Sequence, residues 1–468
     1  MSSVKTTAAT NATANVTTEA PVAVVGGGYA GMAAAVELTR GGRRVAVFEA
    51  SRTLGGRARA VDSDGQRVDN GQHILLGAYA ETLRLMRCVG ADPARLLRRL
   101  PLRLEFPGEL RLAAPRLPAP LHGLAAVLLA RGFDWREKIA LLRLLHGLRR
   151  AQFAIVPDLT VAEWLTRHVA PSRQRRLFWE PLCLAALNTP ASRASMQVFA
   201  HVLRDGMLAQ RAASDLLLPC VDLSALFPEP AARFVIARGG SVHRSRRITA
   251  IEHGALEHSA VGWRVDGQGP FAQIVLAVAP YHLAALAPAL APAVAQFVWE
   301  PILTAYLAYP PHVRLAQPML GVADGAAQWL FDRGQLGGPA GLIAAVISAY
   351  HANEDGNEHA NETVNGKSDG ESSETATLIA HIHRDIARCV PNLPTPLASQ
   401  VIVEKRATFA CTPNLTRPSL HGGAPGLWLA GDYVAAGPNA TDYPATIEGA
   451  VRAGVRAAHA ALSTLSAR

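Results

Sequence analysis

The stretch Pro21–Ala50 (PVAVVGGGYAGMAAAVELTRGGRRVAVFEA) limits what this chain can fold into more than any other part of it. Val22–Val25 is a short, apolar, largely β-branched run of the kind that forms a buried parallel strand. It leads straight into Gly26-Gly-Gly28-Tyr-Ala-Gly31, a G-x-G-x-x-G pattern, and small and aliphatic residues at helical spacing follow from Met32 to Leu38. A second buried strand, Val45–Phe48, ends on Glu49. Each part has a mechanical role in holding a dinucleotide. Gly26 permits the tight turn, Gly28 admits a pyrophosphate against the backbone, and Gly31 lets the helix lie close to the strand. The helix N-terminus offers unpaired N–H groups and a partial positive charge to the phosphates. Glu49 follows the glycines by about 20 residues, where a carboxylate meets the ribose hydroxyls. The pattern predicts a bound adenine dinucleotide, FAD or NAD. The carboxylate at the end of the second strand disfavours a 2′-phosphate, and so NADP.

The next residues bear on that choice. Arg52-Thr-Leu-Gly55-Gly56-Arg57-Ala58 sets a glycine pair between arginines, so that backbone and guanidinium can reach the pyrophosphate and flavin side of a long cofactor. Near the C-terminus, Gly426–Asp432 (GLWLAGD) reads as another buried strand ending in Gly431-Asp432. The run from Tyr443 then opens a helix through Pro444, Ala445, Thr446 and Ile447. This set of motifs resembles the flavin-containing amine oxidase and phytoene desaturase superfamily. The resemblance implies FAD as cofactor, with Asp432 near the ribityl-pyrophosphate and the N-terminus of the last helix at the pyrimidine edge of the flavin. It also implies a backbone contact to the adenine at Ile248.

Three further stretches are similar to the hydroxysqualene dehydroxylase family: Val68–Gly77 (VDNGQHILLG), Trp179–Pro190 (WEPLCLAALNTP) and Pro444–Val451 (PATIEGAV). The similarity runs from about Pro21 to the C-terminal helix. It implies an FAD-dependent enzyme that replaces the C–OH of hydroxysqualene by C–H, giving squalene for squalene and hopanoid synthesis. Such a reaction needs a dry apolar pocket and an acid near the leaving oxygen. His73 is the first candidate for that acid or for orienting the hydroxyl, with Gln72 as an alternative polar contact. Rival readings are an isoprenoid desaturase, in which hydride flows to FAD, a flavin amine oxidase, and a non-catalytic FAD protein that presents lipid. The reductant for FAD is not legible.

The expected fold class is α/β: a discontinuous Rossmann-like FAD-binding domain (the FAD/NAD(P)-binding fold) with an inserted α+β substrate domain. At 468 residues one core is too few for the chain. The cofactor domain is expected from 21–80, 231–280 and 401–468, and the substrate or membrane-facing domain from 81–230 and 281–400. Phe234–Ser241 and Val242–Ile251 read as β-type sequence, and Ile274–Ala279 as a strand. Residues 1–20, rich in Thr and Ala and lacking an apolar core, read as a disordered tail and not a secretory signal. The acidic insert 353–375 also reads as disordered. It holds seven acids against one lysine, leaving the remainder of a +9 chain at +15.

A basic remainder points to nucleic acid, to anionic lipid or to nothing specific. No nucleic-acid motif is present and aromatics are 6%, so a membrane surface is the better match and no nucleic-acid partner is expected. Leu121–Leu129 and Trp135–Phe153 read as a leucine-rich, basic helical pair. They fit either the membrane interface or an ordinary subdomain with a solvated basic face, and an isoprenoid substrate favours the former. With five cysteines, no C-x-x-C and no uncharged apolar run of 18 residues, neither disulfides, a metal site nor a spanning helix is expected. The expected location is cytoplasmic, peripheral on the inner face of the membrane.

Overall fold

The computed structural model describes residues 20–63, 65–169, 173–255, 261–351, 369–437 and 441–466. The chain begins with strand β1 (Val22–Val25), helix α1 (Tyr29–Arg40) and strand β2 (Val45–Phe48). It then leaves for the hairpin β3 (Arg103–Phe106) and β4 (Leu110–Ala113), helices α2 (Leu121–Leu128) and α3 (Trp135–Arg150), and helix α4 (Glu180–Leu187). Helix α5 (Pro228–Ile236) and strands β5 (Ser241–His243) and β6 (Gln273–Leu276) return to the first unit. A second excursion supplies β7 (Trp299–Ala308), β8 (Met319–Gly321), β9 (Trp329–Asp332) and β10 (Leu342–Ser348). Helix α6 (Asp369–Ala387), strands β11 (Ala398–Phe409) and β12 (Leu427–Leu429) and helix α7 (Ile447–Ser466) complete the set used below.

Two five-stranded sheets organise the molecule. The first runs β5-β2-β1-β6-β12 and is parallel throughout, with β1 at its centre. All four residues of β1 and of β2 are buried, as expected for strands covered on both faces. Eleven of the twelve residues of α1 are buried because α5 and α7 pack against it. Gly454 makes the α7 contact possible: a Cβ there would lie 2.1 Å from the Ala30 carbonyl oxygen. The second sheet runs β8-β9-β10-β7-β11, antiparallel throughout. The fold is therefore α/β, a parallel Rossmann-like sheet joined to an antiparallel sheet.

Four local expectations need correction. Residues 234–236 are the end of helix α5, not strand. Pro228 starts that helix, and Ala231, Ala232 and Val235 recur at helical spacing on its buried face. Of the run 242–251, only the start pairs in the parallel sheet. At Ser245 (φ 53°) the chain turns, and the Ser245 and Arg246 N–H groups donate to the carbonyls of Ser51 and Glu49. Ile251–Ala255 then opens a separate three-stranded antiparallel sheet. The boundary placed at 401 falls inside β11, whose pairing with β7 carries the antiparallel sheet on to Phe409. The end of the acidic insert, 369–375, is the first part of α6. Buried Ile382 and Ile386 anchor that helix, and propagation from an anchored turn is easy. The rest of the insert and residues 1–19 of the tail lie outside the described residues.

Candidate functional site

Two glycine turns meet at the end of β1. Gly26 takes φ +110°, and a Cβ there would lie 2.4 Å from the Ala277 carbonyl oxygen. A Cβ on Gly31 would lie 1.9 Å from the Gly26 carbonyl oxygen, so α1 lies against the turn that starts it. Gly28 faces the second turn, bridging Gly55, and its missing Cβ would lie 3.6 Å from the Cα of Gly56. Gly28 is also the N-cap of α1, and no side chain caps that helix. The first-turn N–H groups are thus left for a ligand. Glu49 stands at the edge of this cradle, its Oε2 accepting from the Gly27 N–H at 2.6 Å and its Oε1 from the Ser51 N–H at 2.8 Å. Each oxygen keeps a lone pair for a hydroxyl.

The cradle opens into a cavity of about 1420 Å³. Ligand sites commonly span roughly 300–1,000 Å³, so there is room here for a dinucleotide and a second molecule. Gly26, Gly28, Glu49, Gly55, Gly56, Arg57, Ile248, Gly431, Asp432, Ala445, Thr446 and Ile447 all line it. Gly31 supports it from behind. Arg52 does not reach it: the side chain is exposed, and its place on the wall is taken by Arg246 and Arg247. Arg57 turns to Asp432, and its Nη1 donates to the Ala407 carbonyl at 2.9 Å. Burial opposes the charge on Arg57, and Asp432 more than offsets that, holding the guanidinium above its ordinary range. Thr446 accepts the Gly449 N–H on its hydroxyl at 3.1 Å, capping the start of α7 at the cavity wall. The glycine cradle, uncapped helix and anchored carboxylate fit the diphosphate and ribose of FAD.

Beyond the cradle the walls become apolar. Leu102 and Leu104, Leu182 and Leu187 of α4, and Trp329 and Phe331 of β9 line this part. Asn188 closes α4 in the left-handed conformation, φ 46°, and fastens it to the second sheet. Its amide donates to Thr408 Oγ1 at 2.9 Å and accepts from the Ala349 N–H at 2.8 Å.

Polar groups on these walls are few. His73 Nδ1 lies 2.7 Å from the Gly71 carbonyl oxygen. Burial pushes its pKa below the ordinary histidine value, the Gly71 bond opposes this and the Arg57 charge reinforces it. The ring is neutral at pH 7, with Nδ1–H donating to Gly71 and a lone pair left on Nε2. Gln72 is used structurally, its Oε1 accepting from Arg333 Nη1 at 2.9 Å.

Two carboxylates of this region went unrecognised in the sequence. Asp205 is gripped by Arg204 at 2.7 Å and by the Tyr443 hydroxyl at 3.0 Å. Burial works against its charge, but these partners hold its carboxyl below the usual range. Glu404 on β11 accepts from Asn70 Nδ2 at 2.7 Å and has no ion pair among the described residues. The alternation of β11 (IVEKRATF) was the available signal for Glu404, whereas Asp205 sits in a π-helical turn, Arg204–Leu208, with no sequence signature.

Residues 29–462 match the family of flavin containing amine oxidoreductases. The chain is 29% identical to the hydroxysqualene dehydroxylase of Sinorhizobium fredii, over 94% of this chain and 98% of that one. It is 31% identical to the hydroxysqualene dehydroxylase of Rhodopseudomonas palustris, again over 94% and 98%. An oxidoreductase of Methanosarcina mazei shares the fold with a TM-score of 0.67, at 14% identity, covering 94% of this chain and 100% of that one.

Proposed function

We propose that this chain, which belongs to the flavin-containing amine oxidoreductase family and uses FAD as its cofactor, reductively dehydroxylates hydroxysqualene to squalene. The supporting observation is the near full-length similarity to two hydroxysqualene dehydroxylases, on a chain whose cavity continues past the cradle between apolar walls. FAD, when bound, supplies the two-electron redox chemistry that the exchange of C–OH for C–H requires. The chain's own residues have three tasks. Leucines 102, 104, 182 and 187 exclude water from a hydrocarbon chain and from any allylic cation. His73, neutral and fixed by Gly71, accepts the substrate hydroxyl at Nε2 and orients it. The carboxyl we assign to proton delivery is Glu404, held by one short hydrogen bond from Asn70. Its proton leaves with the oxygen as water.

The test is an anaerobic assay of the purified protein with hydroxysqualene and chemically reduced FAD, read by mass spectrometry. Squalene formed as the flavin oxidises establishes the reductive reaction. No squalene, with flavin bleaching when squalene or phytoene is added to the oxidised protein, moves the assignment to an isoprenoid desaturase.

A further inference from the structure

Twelve large hydrophobic side chains are exposed among the described residues, and seven of them fall between Leu117 and Ile139. The clustering follows from how α2 sits. It buries His122, Ala126 and Val127 against the protein and turns Leu121, Leu124 and Leu128 outward, a stripe at helical spacing. Leu129, 69% exposed, and Trp135, 66% exposed, continue the stripe into the start of α3. Lys138 Nζ ties the two helices together through the Leu128 carbonyl at 2.9 Å. An exposed stripe of this extent is an interaction surface.

Charge decides what covers it. Residues 116–150 carry seven cations and two acids, and both acids, Asp134 and Glu137, are engaged in the capping box of α3. Arg116, Arg131, Arg136, Arg143, Arg149 and Arg150 are free of ion pairs among the described residues. A second copy docking by the same face would bring these cations against each other. An anionic lipid surface neutralises them and takes the leucines into its acyl boundary. Trp135, with the Arg136 guanidinium 5.5 Å from its ring centre, is the amphipathic pairing found at membrane interfaces.

We infer that α2 and the first half of α3 dock on the surface of an anionic bilayer, with the α2 leucines in the interface. The attachment is peripheral, since no described helix is long and apolar enough to cross a membrane. The placement serves the cavity. Helix α2 packs on β4, the partner of β3, whose Leu104 lines the cavity, and the cavity-lining Ala185 of α4 is itself exposed.

The experiment uses full-length, FAD-loaded protein and co-sedimentation with vesicles of phosphatidylcholine, with and without phosphatidylglycerol. No substrate is involved, so failure of the proposed reaction leaves the result standing. The wild-type chain binds the phosphatidylglycerol vesicles, and binding weakens with added salt. Leu124→Glu/Leu128→Glu binds more than about tenfold less well. Arg131→Gln/Arg136→Gln loses roughly fivefold per arginine. Both sets of side chains are at the surface, and unchanged flavin content and circular dichroism verify the fold. Wild-type protein that stays in the supernatant overturns the inference, as does a leucine variant that binds like wild type. A dimer in sedimentation velocity that the leucine variant abolishes also overturns it, assigning the face to a second copy.

Discussion

The Arg57 guanidinium meets Asp432 with Nη2 at 2.7 Å from each carboxylate oxygen, joining two cavity-lining turns 375 residues apart in sequence. One turn follows β2 and the other follows β12, so this pair fixes the gap across which the cofactor must fit. The carboxylate is 6% exposed and the guanidinium 25%. Removing the acid strands a largely buried cation. Asp432→Ala is expected to lose roughly 2–4 kcal/mol of stability and most of its flavin. The absorbance ratio at 450 and 280 nm after purification and a urea titration measure the two losses. Asp432→Asn, which keeps one acceptor, is expected to fall between.

Asp69 gives a pH-dependent prediction. It is 3% exposed, its Oδ1 accepts the Leu223 N–H at 2.8 Å, and burial raises its pKa to about 6. A raised carboxyl pKa means that the folded chain holds this proton more tightly than the unfolded chain does. The stability it contributes is complete below about pH 4 and is lost as pH rises through 6. Asp69→Asn keeps the Oδ1 acceptor and carries no ionisation penalty. The variant is expected to be more stable than wild type by about 1–3 kcal/mol at pH 8, with that advantage cut to about a third at pH 4.5. Thermal melts at the two pH values decide it; an equal difference at both would show that Asp69 is not forced to ionise inside the fold.

What the sequence made legible was whatever local geometry demands. A strand ending on Gly26, a Gly31 that must lie under 2 Å of missing Cβ from a carbonyl, and an acid at Glu49 are requirements of one βαβ unit, and residue type alone reveals them. Gly431, Asp432 and Thr446, each at the end of an element, came instead from the resemblance of their stretches to a flavoprotein superfamily. The local logic failed where position depends on long-range packing. Arg52 and Arg57 flank the same glycine pair, and only the fold distinguishes the one that finds Asp432 from the one that faces solvent. Glu404 looked like one charge among several on a half-exposed strand, and pairing of β11 with β7 is what turns it to Asn70. The end of helix α5 was misread for a local reason: Phe234, Val235 and Ile236 are strand-favouring residue types, although Pro228 and the spacing of Ala231, Ala232 and Val235 mark a helix.

His73 titrates in the opposite sense to Asp69. Burial lowers its pKa, so the folded chain resists protonation while the unfolded chain takes the proton near pH 6.5. The stability tied to the neutral ring is whole above that pH and is lost as pH falls below it. His73→Gln retains a donor for the Gly71 carbonyl and does not titrate. Between pH 8 and pH 5.5 the wild-type urea midpoint is expected to fall further than that of the variant. Parallel falls would mean that the ring takes up its proton in the fold as readily as in the unfolded chain, which would return it to consideration as the proton donor.

Five carboxylates line the cavity, and four of them are engaged: Glu49 by two backbone N–H groups, Asp205 by Arg204 and Tyr443, Asp432 by Arg57, and Glu448 by Arg452 and Thr82. Glu404 has one short bond, to Asn70, and a long one of 3.4 Å from the Arg406 N–H. A group that must give up and regain a proton needs that freedom. Glu404→Gln preserves an acceptor for Asn70 and cannot deliver a proton, so turnover of hydroxysqualene is expected to fall about 10²–10⁴-fold. Flavin content and the melting temperature should stay within error of wild type, because no ion pair is broken. Turnover within threefold of wild type would remove Glu404 from the chemistry and leave Asp205 as the remaining carboxyl among the apolar walls. Tyr443→Phe then tests that alternative, since it removes one of the two donors to Asp205 Oδ2 and leaves Arg204 and the charge in place.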